Sequence, residues 1–103
     1  MTRTLIVLTA AALLSACTWV KITEQGKAVR VIDSAQAARC MKKGEVTASV
    51  RDEVGPVSRN RQKVLDEVET LARNDAFEVG ANAIVPISEL VNGERRYAAY
   101  DCE

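Results

Sequence analysis

An apolar run occupies residues 5–14, near the N-terminus of the chain. Arg3 precedes the run, which is too short to cross a bilayer as a helix, because that requires about 20 residues. The pattern is typical of a cleavable signal peptide and predicts a leader that covers residues 1–16. Residues 17–103 then fold as one small domain, for which a hydrophobic core alone gives marginal stability. We therefore expect an additional constraint on the fold.

The sequence Leu14-Ser15-Ala16-Cys17 follows this run directly. It resembles the lipobox of bacterial lipoproteins, in which an aliphatic residue and two small residues precede an acylated cysteine. The resemblance implies diacylglycerol on the Cys17 thiol and a further acyl chain on its amino group. Several such chains hold a protein on a membrane almost permanently, since each buried methylene contributes about 0.8 kcal/mol. The alternative is an ordinary cleavage site with an unrelated cysteine beside it.

The chain has three cysteines, so acylation of Cys17 leaves Cys40 and Cys102 as a pair. In an exported protein this pair is expected to form a disulfide. For a loop of this length the chain-entropy model gives roughly 4 kcal/mol, which supplies the constraint that the small size requires. A thiol site or a zinc site is the alternative, but zinc takes about four ligands and the chain has no histidine.

Composition narrows the classes of function. Lys+Arg and Asp+Glu both number 14, so no basic excess favours nucleic acid or an anionic surface. The absence of histidine removes the commonest general base. Asp52 and Glu53 are adjacent and could be an acid/base pair, but successive residues of an extended segment point apart, which favours exposed loop charges. We predict no catalytic residue, no metal and no cofactor apart from the lipid.

The early part of the domain predicts a strand and a short helix. Residues 28–32 are rich in β-branched side chains, as is typical of a strand. Asp33 and Gln36 have the spacing of a capping box that opens a helix towards Cys40. Two lysines and a glycine at residues 42–44 are expected to close this helix.

A second strand and a loop follow. Residues 45–52 alternate between apolar and polar side chains, and residues 53–60 are expected to be a loop because Gly55-Pro56 interrupts both helix and strand. This loop mixes apolar and basic residues, and arginine suits carboxylate recognition at interfaces. We treat it as a candidate partner-binding surface, with an ordinary solvated connection as the alternative. The candidate side chains are Val54, Val57, Arg59 and Arg61.

From Arg61 the apolar period becomes helical, which predicts a long core-forming helix that Gly80 ends. Asn60 or Ser58 is expected to cap its start, and Glu69 and Arg73 have the spacing of an ion pair on its surface. The apolar stripe consists of Val64 or Leu65, then Val68, Leu71, Ala72, Ala76 and Val79.

The last part of the chain predicts a hairpin. Residues 83–91 are apolar, and Pro86 suggests an edge strand or a bulge. Asn92-Gly93 favours a type I′ turn, after which residues 94–102 return as a strand. Together these elements predict a single α+β domain with the order β-α-β-α-β-β, in which a mostly antiparallel sheet packs on one long helix.

The order and spacing of several segments resemble a family of small uncharacterised bacterial envelope lipoproteins that carry a domain of unknown function. The resemblance covers essentially the whole mature chain. The segments are Cys17-Thr18-Trp19-Val20, Val29-Arg30-Val31, Cys40, Gly44, Val54-Gly55, Leu71-Ala72-Arg73-Asn74, Gly80-Ala81-Asn82-Ala83, Val85-Pro86 and Tyr100-Asp101-Cys102.

More distantly, the long helix, the Gly80-Ala81-Asn82-Ala83 turn and Cys102 are similar to the outer-membrane lipoprotein sensor of the Rcs envelope-stress phosphorelay. This resemblance implies signalling through protein contacts rather than catalysis. The sensor carries two disulfides and a long Pro-rich linker, whereas this chain has cysteines for one disulfide and a short tether. We therefore do not expect it to thread through a partner barrel.

Residues 17–27 are expected to be an acylated tether, and residues 28–103 the periplasmic domain. Trp19 is expected either at the membrane interface or packed on the domain. Thr18 occupies the place where an Asp is the usual inner-membrane retention signal of Gram-negative lipoproteins, which implies, by resemblance, the outer membrane.

The sequence thus predicts a non-enzymatic lipoprotein that is anchored to the outer membrane and faces the periplasm. We expect it to bind other envelope proteins, and no nucleic acid, in a structural or stress-response role. The alternative is a small inhibitor or ligand-binding module for periplasmic hydrolases or cell-wall fragments. That alternative requires a groove or a protruding loop with convergent polar groups.

Overall fold

The computed structural model describes residues 21–103, except for the side chain of Val54. The predicted signal peptide, the lipobox with Cys17, and Trp19 lie outside the described residues. Within that range no helix has both the length and the hydropathy needed to cross a bilayer. After a 3₁₀ turn at Gly26–Ala28, the elements are β1 (Arg30–Val31), α1 (Ser34–Ala37), β2 (Met41–Ser49), β3 (Glu53–Val54), β4 (Val57–Ser58), α2 (Arg61–Glu78), β5 (Ala83–Pro86) and β6 (Glu94–Asp101).

Four strands form a mixed sheet in the order β1-β5-β6-β2. The pairs β5–β6 and β6–β2 are antiparallel, and the short β1 runs parallel to β5. The long helix α2 covers one face of this sheet. The predicted α+β fold, with one long helix and one disulfide, is confirmed.

The core lies on both faces of the sheet. Between α2 and the sheet, alanines and valines allow the helix to lie close to the strands, and Tyr97 is the largest fully buried side chain. On the opposite face, a smaller cluster lies beneath α1 and the disulfide and contains Ile32, Ala37, Ala83 and Val85. In the described part of the chain no charged side chain is buried.

The sequence of α2 explains where the helix begins and ends. Asn60 is its N-cap, because the Asn60 Oδ1 atom accepts hydrogen bonds from the backbone N–H groups of Gln62 and Lys63. Gly80 has a φ of 83°, a left-handed conformation that commonly ends a helix. The buried stripe is Val64, Val68, Ala72 and Ala76, with Leu65 and Leu71 partly buried beside it. Val79 was wrongly placed on this stripe, since it is the C-cap and is 42% exposed.

The predicted capping box of α1 is confirmed, with both the Asp33 and the Gln36 side chains bonded to the backbone of the other residue. The predicted end of this helix at residues 42–44 is wrong, because α1 ends at Ala37 and these residues belong to β2. The disulfide at Cys40 brings the next residue, Met41, opposite Asp101, so the pairing of β2 with β6 begins at Met41. The register then shifts between Lys42 and Gly44.

The predicted loop at residues 53–60 contains a small hairpin, so that prediction was incomplete. Glu53 pairs with Ser58 and Val54 with Val57. Gly55 has a φ of 61°, which reverses the chain tightly enough for the two valines to pair. The Gly55-Pro56 sequence therefore forms the turn of a hairpin rather than preventing one.

The predicted Asn92-Gly93 hairpin is confirmed, since both residues have positive φ and Val91 and Glu94 exchange two backbone hydrogen bonds. A Cβ on Gly93 would collide with the Val50 carbonyl oxygen. Pro86 does not lie on an edge strand, because β5 is internal to the sheet. It follows the two residues of β5 that pair with β1, so its missing N–H falls where that pairing has ended.

Candidate partner-binding surface

The two hairpins meet at the N-terminal end of α2 and form the surface that contains the predicted partner-binding residues. We call it the hairpin surface and define it by the groove that Arg61 lines, together with Val57 on the first hairpin and Val91 before the turn of the second. Val57 is 64% exposed and Val91 is 60% exposed. The groove has a volume of about 150 Å³, and its lining includes Asp52, Glu53, Ser58, Arg61, Leu90 and Asn92.

Arg59, one of the predicted partner-binding residues, is bonded within the domain. Its Nη2 and Nη1 atoms each lie 2.9 Å from a carboxylate oxygen of Glu67, and Nη1 donates to the Arg51 carbonyl at 2.8 Å. The hydrogen bond to Glu67 raises the pKa of Arg59. Burial of the guanidinium opposes this rise, and the negative charge of Glu67 adds to it. Arg59 therefore holds the first hairpin against α2.

Arg61 and Val57 are the predicted residues that remain exposed on this surface. The guanidinium of Arg61 makes a long contact of 3.5 Å to the Leu90 carbonyl and lines the groove. Val91, which sequence reasoning did not select, follows Leu90 directly and is exposed next to the turn of the second hairpin. Its signal was the position of an apolar residue directly before the Asn-Gly turn.

A second groove lies at the opposite end of the sheet, beside the disulfide. Cys40 and Cys102 are joined by an S–S bond of 2.06 Å with their Cα atoms 4.6 Å apart, as predicted. The groove has a volume of about 400 Å³. The polar side chains that line it are Arg30, Gln36, Arg39, Asp101 and Glu103.

Asn82 fixes the chain next to this disulfide. Its Nδ2 atom donates to the Cys102 carbonyl at 2.6 Å, and its Oδ1 atom accepts from the Cys102 N–H at 2.7 Å. The side-chain amide thus replaces a strand partner for the last residues of the sheet. Nothing in the sequence pattern indicated this role.

The segment 21–29 is held on the C-terminal half of α2 by two neighbouring residues, a contact that we call the clamp. Asn74 donates to the Lys21 carbonyl at 3.0 Å and accepts from the Thr23 N–H at 2.9 Å. Arg73 donates from Nε to the Val29 carbonyl at 2.7 Å and from Nη2 to that of Lys27. Arg73 thus bonds to this segment, and the predicted pair with Glu69 does not occur among the ion pairs of the described residues.

The clamp bears on the predicted tether of residues 17–27. The part from residue 21 onward lies against α2 and is not an extended tether. A Cβ on Gly26 would collide with the Asn74 Oδ1 atom, so a glycine is required for this close approach. Only residues 18–20 separate Lys21 from Cys17.

A family model for a domain of unknown function, DUF4156, matches residues 20–102 of this chain. The chain belongs to the DUF4156 family. The match begins one residue before the described part of the chain and ends at the disulfide, so the DUF4156 domain includes the clamped segment as well as the sheet. No curated protein and no solved structure matches the chain.

Residues 21–103 contain no group of three or more acidic or cysteine side chains that could hold a metal ion. Both grooves present arginines and carboxylates, and the groove beside the disulfide also includes the exposed Met41.

Proposed function

We propose that this DUF4156 protein is a lipoprotein, anchored to the outer membrane through Cys17, that faces the periplasm and acts by contacts with other envelope proteins. The observation that carries the proposal is the Cys40–Cys102 disulfide. It uses two of the three cysteines and leaves Cys17, within its lipobox, as the third. A disulfide also agrees with an exported protein, because thiols stay reduced in the cytosol.

The hairpin surface is the proposed site of contact. It combines two exposed valines with Arg61, and apolar side chains together with arginine are typical of binding surfaces. It lies at the N-terminal end of α2, whereas the clamp is at Asn74. Arg61 and Asn74 are thirteen residue steps apart on the helix, or about 20 Å. A partner can therefore reach the hairpin surface without meeting the anchor.

The test is photo-crosslinking in cells, with a photoreactive residue placed at Val57 or at Val91. Val31 is a matched control, because it is an exposed valine on β1, away from the hairpin surface. We expect the same crosslinked proteins at both hairpin positions and not at Val31. Equal crosslinking at all three positions would contradict a specific surface, and a catalytic activity in the purified protein would contradict the non-enzymatic role.

The groove beside the disulfide favours a second candidate, a ligand-binding module for cell-wall fragments or an inhibitor of periplasmic hydrolases. Arg30 and Arg39 line this groove, and guanidinium groups bind carboxylates well. Retention on peptidoglycan that is lost in the Arg30→Ala/Arg39→Ala variant would support this candidate. Retention by both proteins, or by neither, would argue against it.

The stress-response part of the proposal draws on the distant similarity to the Rcs sensor. It predicts that overproduction or deletion of the protein changes the output of an envelope-stress reporter. The Val57→Asp/Val91→Asp variant should lose that effect while it remains folded and anchored. An unchanged reporter in the deletion strain would leave the structural role as the better proposal.

A further inference from the structure

The clamp sets how far the domain can stand from the acylated cysteine. If Cys17 carries the lipid, as proposed above, only four residue steps connect it to Lys21, or roughly 14 Å of fully extended chain. Lys21 itself is bonded to Asn74. The surface of α2 around Asn74 must therefore lie close to the lipid headgroups.

An exposed aromatic side chain lies on this part of α2. Phe77, the single phenylalanine of the chain, follows Arg73 by four residues and Asn74 by three, so it lies one turn further along the same helix surface. Its side chain is 44% exposed, although the helix has a well-filled buried stripe. Aromatic rings are favoured at membrane interfaces.

Charge does not explain a contact with lipid at this place. Lys27 is paired with Glu24 at 3.0 Å, and Asp75 and Glu78 flank Phe77 on the last turns of α2. Basic and acidic side chains therefore occur together, and attraction to anionic headgroups is weak. The contact depends on the apolar ring and should be insensitive to salt.

We propose that the domain rests on the membrane through Phe77, whose ring lies among the lipid headgroups next to the clamp. The occupant of this surface is thus the bilayer that holds the acyl chains of Cys17. This inference deepens and rests on the proposed anchoring. It fixes the orientation of the domain, with the hairpin surface directed away from the membrane.

The experiment uses the full acylated protein in vesicles of phosphatidylethanolamine and phosphatidylglycerol, with lipid chains brominated near the headgroup as quencher. Trp19 is the single tryptophan, so Trp19→Phe provides a background in which Phe77→Trp reports on the clamp side. Val57→Trp in the same background is the matched control, because Val57 is more exposed and lies on the hairpin surface.

We expect the fluorescence of the Phe77→Trp protein to fall roughly twofold in brominated vesicles, since an interfacial ring lies at headgroup level. The Val57→Trp protein should be almost unaffected, and neither result should change with salt. Protein that co-floats with vesicles but shows no quenching at position 77, or equal quenching at both positions, overturns the docking and leaves the anchoring intact. Protein that does not co-float overturns the anchoring itself.

Discussion

The two ends of α2 are held by different chemistry. At the C-terminal end, the disulfide, the Asn82 amide and the clamp connect segments that are far apart in the chain. At the N-terminal end, the first hairpin is joined to α2 by one partly exposed ion pair, Arg59–Glu67, and the turn of the second hairpin accepts one backbone hydrogen bond, from the Val50 N–H to the Gly93 carbonyl. The end nearer the proposed anchor carries the disulfide and the clamp, and the other end carries Val57 and Val91.

This difference bears on where the proposed partner contact can lie. A side chain that is bonded within the domain, such as Arg59, is not available to a partner. Val57 and Val91, in contrast, are both more than half exposed to solvent. We therefore expect substitutions at the disulfide end to change the free energy of unfolding strongly. Substitutions at the hairpin surface should change binding more than stability.

The largest effect is expected from removal of the disulfide. In the mature chain with Cys17→Ser, the Cys40→Ala/Cys102→Ala variant should lose about 4 kcal/mol of unfolding free energy, because its denatured state regains the freedom of a long loop. Urea unfolding followed by circular dichroism measures this change. A loss below about 1 kcal/mol would contradict this expectation, since the disulfide would then contribute little to the stability of its end of the domain.

Asn82→Ala should have the next largest effect, a loss of about 2 kcal/mol in the same urea assay. Two hydrogen bonds to Cys102 disappear, and its partly buried backbone groups are left without a partner. Asn92→Gly is a control at the hairpin end, because glycine accepts the positive φ of that turn. A larger loss from Asn92→Gly than from Asn82→Ala would reverse the comparison.

Asn74→Ala tests the clamp and should cost about 1 kcal/mol, since its partners are more exposed to water. The more specific readout is amide hydrogen exchange, in which protection of residues 21–29 should fall while that of β6 is unchanged. Unchanged protection in residues 21–29 would show that the hydrogen bonds of Asn74 are not needed to hold the segment.

Glu67→Gln tests the hairpin end and should destabilise the protein less than Asn82→Ala does. The partly exposed ion pair with Arg59 is lost, although an amide can still accept one hydrogen bond. The difference from the wild type should shrink as salt is raised, because salt screens exposed charges. A salt-independent difference would mean that packing, and not charge, joins the first hairpin to α2.

A smaller effect is the dependence of the unfolding free energy on pH, which should be the same at both ends of α2. Burial raises the pKa of Tyr97 above its usual value, against a smaller opposing effect of Arg95. The folded state therefore keeps the proton more strongly than the unfolded state does. This contribution is complete below the ordinary tyrosine pKa of about 10, and it is lost as pH rises through the higher folded value.

Unfolding free energies measured between about pH 9 and pH 11 check this expectation, because the range spans the ordinary tyrosine pKa. The Tyr97→Phe substitution should reduce the fall in unfolding free energy over this range. In the wild type, hydrogen exchange should show the same loss of stability at the hairpins and at the disulfide. A fall confined to one end would show that Tyr97 does not act through the shared core.

Several features could be predicted because they depend on residues that are close together in the chain or on the number of cysteines. The Asp33–Gln36 capping box and the Asn92-Gly93 turn each follow from residues close together in the chain. The Cys40–Cys102 disulfide was predicted because the expected acylation of Cys17 leaves two cysteines as a pair. In each case the partner was already specified by the sequence.

The remaining features depend on which segments meet in three dimensions. Lys42 and Lys43 looked like a helix end, yet the disulfide places them in β2. Arg73 was expected to pair along its helix but bonds to Val29. Arg59 was expected to face a partner but meets Glu67. A long arginine side chain has several possible acceptors, and only the tertiary structure selects one.

Acylation of Cys17 underlies both the proposed location of the domain in the periplasm and the proposed contact of the clamp side with the membrane. The most direct measurement is the intact mass of the protein isolated from the envelope, with metabolic palmitate labelling of the wild type and of Cys17→Ser. We predict a mature chain that begins at Cys17, carries diacylglycerol and a further acyl chain, and loses its label in Cys17→Ser. An unmodified N-terminus, or label that persists in Cys17→Ser, would contradict the proposal.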